Sequence, residues 1–201
     1  MLRVLLFSCI GILINQTGVS QSGFFDEPIF RLSVYTHSIG LPFKDFVKRP
    51  LNFGISGSIG YAYNKDKANP LVQEFELSWF NHKHLNKAFM VKSNLSKSYF
   101  TDNDLNIDAS FGIGYIIDLS ENATYALQDN GKYGKSLDLK SGFTTQIGFG
   151  VGKRISREGK SDFAPFIRYE GMIQLPYSDF TPFLPHTMLH VGTKIFTSKN
   201  N

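Results

Sequence analysis

The side chains with the greatest chemical potential in this 201-residue chain are five histidines and a set of charged residues at alternating positions. His82-Lys83-His84 places two imidazoles at i and i+2, on one side of an extended segment, a spacing able to share a metal ion. No cysteine or carboxylate stands between them, and no metal centre is expected. Thr36-His37-Ser38 sets a base beside a hydroxyl. Adjacent strand residues point to opposite faces, so His37 is badly placed to take the Ser38 proton. Glu74 and Glu76 share a face, like a carboxylate pair built for acid–base work. Equivalent faces also carry Arg31, Lys92, Asp108, Arg154, Arg168, Glu170 and Lys194, and the whole set reads as a charge-balanced ion-pair network. Gly112 and Gly114, and Gly148, Gly150 and Gly152, alternate within strands and open no helix, so no phosphate loop is expected. These motifs name no catalytic residue, no metal ligand and no cofactor.

The elements that must hold these side chains are strands. In residues 104–119 the odd positions from Leu105 to Leu119 are all apolar. The even positions are Asn106, Asp108, Ser110, Gly112, Gly114 and Asp118, with Ile116 the exception. A period of two defines a strand with two chemically opposite faces. The same alternation runs through residues 29–37, 51–64, 71–82, 88–100, 143–155, 163–175 and 187–197. Together these predict about eight strands, an even number as closed outer-membrane barrels have, and residues 104–119 are long enough to cross a tilted bilayer.

The connections differ at the two ends. Short polar turns are expected at residues 65–69, 101–104 and 156–162, and mostly longer ones at 38–50, 83–86, 120–141 and 176–185. Short turns on the periplasmic rim and longer loops outside are the pattern of an outer-membrane barrel. The polar faces mix charges of both signs with Gly, Ser and Asn, suiting a crowded interior, and the apolar faces suit lipid. Tyr61, Tyr63, Tyr99 and Phe163 fall toward the periplasmic rim, with Trp79, Tyr115 and Phe143 toward the outer one, as interfacial girdles do. His37, His82, His84 and His186 all fall near that outer rim. The stiff, apolar loop segments containing Pro42 and Phe43, and Tyr177, Phe180 and Phe183, read as an outer-loop binding surface or as a lid.

Composition agrees with this. The 19 Phe and 18 Gly suit closely packed β-structure, and a net charge of +4 spread without a stripe argues against nucleic-acid binding. Met1-Leu2-Arg3 followed by apolar residues 4–14 and Gly18-Val19-Ser20 reads as an export signal over residues 1–20, leaving residues 21–201 as the barrel domain. Leu6-Phe7-Ser8-Cys9 has only a faint lipobox character. Cys9 is the one cysteine, so the mature chain would hold no disulfide.

With these strands in place, the chain resembles the small eight-stranded bacterial outer-membrane β-barrels, the class of OmpX-like proteins and lipid A deacylases, in a Bacteroidota style. His190-Val191-Gly192-Thr193-Lys194-Ile195-Phe196 resembles the terminal assembly signal of such barrels, with Thr197 departing from it. The resemblance implies a closed, antiparallel, up-and-down transmembrane β-barrel in the outer membrane. Its surroundings would be outer-membrane lipid and lipopolysaccharide, with a protein partner in an envelope complex as a further expectation. Deacylases of the class carry a His-x-Ser motif, and this sequence contains none. The leading expectation is therefore a non-enzymatic barrel. The alternatives are a lipid A-modifying hydrolase and a soluble lipocalin-like ligand-binding barrel.

Overall fold

A computed structural model describes residues 28–40, 52–64, 69–82, 86–120, 124–127, 133–136, 139–156, 162–177 and 181–197. Its strands are β1 (Ile29–Ile39), β2 (Asn52–Ala62), β3 (Leu71–His82), β4 (Asn86–Phe100), β5 (Leu105–Ser120), β6 (Thr124–Leu127), β7 (Tyr133–Ser136), β8 (Leu139–Lys153), β9 (Asp162–Leu175) and β10 (Leu184–Phe196). Eight of them close in the order β1-β10-β9-β8-β5-β4-β3-β2, every pairing antiparallel. The chain is thus an all-β, up-and-down transmembrane barrel, and closure of β1 on β10 removes the exposed backbone edge that lipid cannot satisfy. Barrel strands run from 11 residues in β1 and β2 to 16 in β5, at or above the roughly 9–11 a tilted bilayer crossing needs.

The alternation read from the sequence becomes an inversion of a soluble protein's faces. On β5, Leu105, Ile107, Phe111, Ile113, Tyr115 and Ile117 are exposed, while Asn106, Asp108 and Asp118 are buried. Phe75, Leu77 and Trp79 stand outside β3 and Glu74, Glu76 and Ser78 inside it. Water would gain nothing from an exterior this apolar around a charged core. The arrangement excludes the lipocalin-like alternative, in which the apolar face turns inward.

Two features depart from the sequence expectations. The 120–141 stretch, expected as a loop, contains the hairpin of β6 and β7, paired from Thr124↔Ser136 to Leu127↔Tyr133 apart from the barrel sheet. β8 also begins at Leu139, paired with Leu119, and so extends the barrel wall earlier than residue 143. Ile116, the apolar exception on β5, is not misplaced. It is fully enclosed with Tyr35, Phe80, Ala88, Met90, Met172 and Met188 in an apolar layer across the lumen.

Candidate functional site: a filled lumen and its polar mouth

Below the apolar layer, alternation and register bring eight charged side chains inside the barrel. Arg31, Lys92, Arg168 and Lys194 face Glu74, Glu76, Asp108 and Glu170, all buried. Arg31 pairs with Glu74 and lies 3.9 Å from Glu76. Lys92 joins Glu76 at 2.7 Å to Glu170 at 2.8 Å, and Arg168 reaches Glu170 at 2.8 Å. Lys194 pairs with Asp108, which also accepts from Ser98 at 2.8 Å. Neutral side chains complete the shell: Asn94 donates to Glu76 at 3.2 Å, Gln146 to Asn94 at 2.8 Å, and Arg168 to Ser110 at 2.8 Å. Buried charges persist only when paired and hydrogen-bonded, and here the two signs are equal in number. Gly148 makes the network possible, because a Cβ there would fall 2.6 Å from Arg168 Nε. Glu74 and Glu76 are each committed to cations, which leaves no carboxylate pair free for acid–base work.

Arg154 belongs elsewhere. Its alternation faces the lumen, but its height puts it at the short-turn rim, half-buried and 3.7 Å from Asp162. Its guanidinium lies 4.6 Å from the ring of Phe100 and 4.4 Å from that of Phe196. Phe100 ends β4 and Phe196 ends β10, strands that are not neighbours in the sheet, yet their rings meet at 6.2 Å. This aromatic–arginine cluster ties the ends of those two strands together at that rim.

At the opposite end, above the apolar layer, a hydrogen-bonded chain links five strands. Asn86 Nδ2 donates to Asp118 Oδ1 at 2.6 Å, and Gln174 Nε2 donates to Asp118 Oδ2 at 2.7 Å. His186 Nε2 meets Gln174 Oε1 at 3.1 Å, and His186 Nδ1 meets His37 Nε2 at 2.9 Å. A carboxylate only accepts, so the Gln174 amide must turn its N–H to Asp118 and its carbonyl to His186. His186 then carries its proton on Nε2, and its bare Nδ1 accepts from His37 Nε2–H. The order fixes both tautomers. His37 is also stacked on Phe80 at 3.8 Å, with the half-buried His82 edge-on at 5.5 Å. His37 and Ser38 take opposite faces as adjacency requires, with His37 enclosed and Ser38 on the other side of the strand.

Sequence reasoning missed one hydroxyl–imidazole pair. Ser33 Oγ lies 3.0 Å from His190 Nδ1 and 2.7 Å from Ser56 Oγ. His190 Nε2 has no hydrogen-bond partner among the described residues, so no third group orients the imidazole as a nucleophile–base–acid arrangement requires. Both side chains are buried in the filled lumen. Of the outer-loop residues, Pro42, Phe43 and Phe180 lie outside the described residues, as does His84. Phe183 is exposed, and Tyr177 lies under the Lys140 ammonium at 5.2 Å. At the same rim Tyr115 donates to Ser141 at 2.8 Å and packs against Phe143.

No family model matches the sequence, and no curated protein matches it. Solved structures do. Neisserial surface protein A (NspA) aligns with a TM-score of 0.52 at 10% identity, over 84% of this chain and 96% of that one. The N-terminal β-barrel domain of Pseudomonas aeruginosa OprF aligns with a TM-score of 0.53 at 15% identity, over 84% and 97%. At these identities the likeness is one of fold.

Proposed function

We propose that this protein is a non-enzymatic integral barrel of the bacterial outer membrane, which holds a fixed scaffold in the bilayer and presents its longer loops outside. The observation that carries the reading is a filled lumen, with a charge-balanced ion-pair network inside it, within an apolar exterior. The Arg154 cluster, the ion-pair network and the apolar layer occupy successive heights of the interior, and a lumen filled in this way does not suit a general pore. A scaffold of this kind acts through its loops. Residues 1–20 serve as the export signal and residues 21–201 as the barrel, with the short-turn rim in the periplasm.

In this reading Pro42, Phe43, Tyr177, Phe180 and Phe183 meet a partner in an envelope complex, and Lys44, Lys48 and Arg49, which follow Phe43 in the sequence, meet lipopolysaccharide phosphates. The test is co-purification from native membranes in mild detergent, comparing the natural chain with Tyr177→Ser/Phe180→Ser/Phe183→Ser. The expected result is a stoichiometric companion held by the natural chain and lost from the variant while the barrel stays folded. A companion retained by the variant, or none with either chain, contradicts the loop reading.

A further inference from the structure

His37 Nε2 and His186 Nδ1 point at each other at 2.9 Å inside the barrel mouth, although the residues are 149 positions apart. Two imidazole nitrogens facing each other at this distance share a proton, and the same two donors are close enough to hold one metal ion in its place. Tetrahedral coordination at about 2.0–2.1 Å per nitrogen sets two such donors about 3.3 Å apart. Seating an ion there moves the His37 proton from Nε2 to its bare Nδ1, turns the two rings from facing each other toward a common point, and asks the nitrogens to separate by a few tenths of an ångström. The ring centroids already stand 5.1 Å apart.

A second, independent observation comes from the far side of His186. Its Nε2 is held by Gln174 at 3.1 Å, and Gln174 is anchored by Asp118 at 2.7 Å. A metal-bound imidazole is oriented in this way, its other nitrogen donating to an acceptor that is itself fixed. The His37 ring lies stacked on Phe80 at 3.8 Å. The donors are imidazoles with no carboxylate oxygen between them, a set that suits zinc, copper or nickel and not calcium or magnesium.

We propose that His37 and His186 form a binding site for one divalent transition-metal ion at the barrel mouth. Among the described residues no three His, Cys, Asp or Glu side chains gather to cage an ion, so two protein nitrogens hold it and water completes the sphere. Binding is accordingly exchangeable. The sequence offered His82 and His84 only as a spacing able to share a metal, with no metal centre expected, whereas the geometry points to partners brought together by barrel closure.

The probe is Cu2+ added to the untagged full chain folded in detergent and read by electron paramagnetic resonance. One equivalent with splitting from two imidazole nitrogens is expected, and it should persist in His82→Ala/His84→Ala/His190→Ala. It should vanish in His37→Phe/His186→Gln, and Gln174→Ala, which removes the acceptor that orients His186 together with a donor to Asp118 and leaves both imidazoles in place, should weaken binding about 10–100-fold. Heat-modifiable gel migration checks that each variant is folded. If the His37/His186 variant does not fold, the natural chain and the triple variant still decide the matter. Absence of a two-imidazole signal in the natural chain, its loss in the triple variant, or its survival in a folded His37/His186 variant overturns the proposal.

Discussion

Lys92 of β4 reaches Glu170 of β9 at 2.8 Å across the lumen, 78 positions apart in sequence, with both side chains wholly enclosed. The pair ties together two walls three strands apart around the barrel, at the centre of the ion-pair network. Removing one member leaves a buried charge short of its partner, which costs about 3–5 kcal/mol. Lys92→Met is expected to lower stability by that amount in a urea titration of the barrel in lipid vesicles. Lys92→Met/Glu170→Met should lose less than the sum of the two single changes, because neither charge is then stranded. Additive losses would mean the two side chains do not interact.

Arg154 provides a contrast of position. If it belonged to the central network, Arg154→Ala would cost as much as Lys92→Met. Placed between Phe100 and Phe196 at the rim, it should cost only about 1–2 kcal/mol, the worth of partly buried cation–π contacts. The same urea titration distinguishes the two values.

At the closing seam, Gly192 of β10 pairs with Ser33 of β1. A Cβ added there would lie 2.6 Å from Ser33 Cβ and still closer to the Leu32 carbonyl oxygen. Backbone cannot give way as a flexible side chain can, so Gly192→Val should prevent or shift closure of the first strand on the last. The expected readout is loss of heat-modifiable migration, with Val191→Ala, a lipid-facing neighbour, closing normally.

These contacts also show what the sequence could and could not convey. Period-two alternation placed the β5 row from Leu105 to Ile117 outside and Asp108 inside, because facing depends only on parity. Parity says nothing of height along the barrel, which is set by register. Arg154 was therefore assigned to the correct face but to the wrong cluster. His82 and His84 drew attention because they are close in sequence. Topology put His37 and His186 at one rim, but that these two touch is settled only by the β1–β10 register. The hairpin of β6 and β7 was missed because each strand has only 4 residues, too few for a period to register.

Ile113 sits near the middle of β5 with 61% of its surface exposed. In a bilayer that surface meets hydrocarbon, and Ile113→Arg should cost about 2–4 kcal/mol at the midplane. On a water-facing exterior the same change would be nearly neutral, and vesicle-based urea titration separates these outcomes.

The most direct measurement is of the natural chain expressed with its N-terminal segment in a Gram-negative host, fractionated and run on a gel with and without boiling. The expected result is sedimentation with outer membranes, resistance to carbonate extraction and a faster-migrating band in the unboiled sample. Recovery in the soluble periplasmic fraction, with migration unchanged by boiling, would contradict the central claim that this barrel wears its apolar face outward because lipid is its solvent.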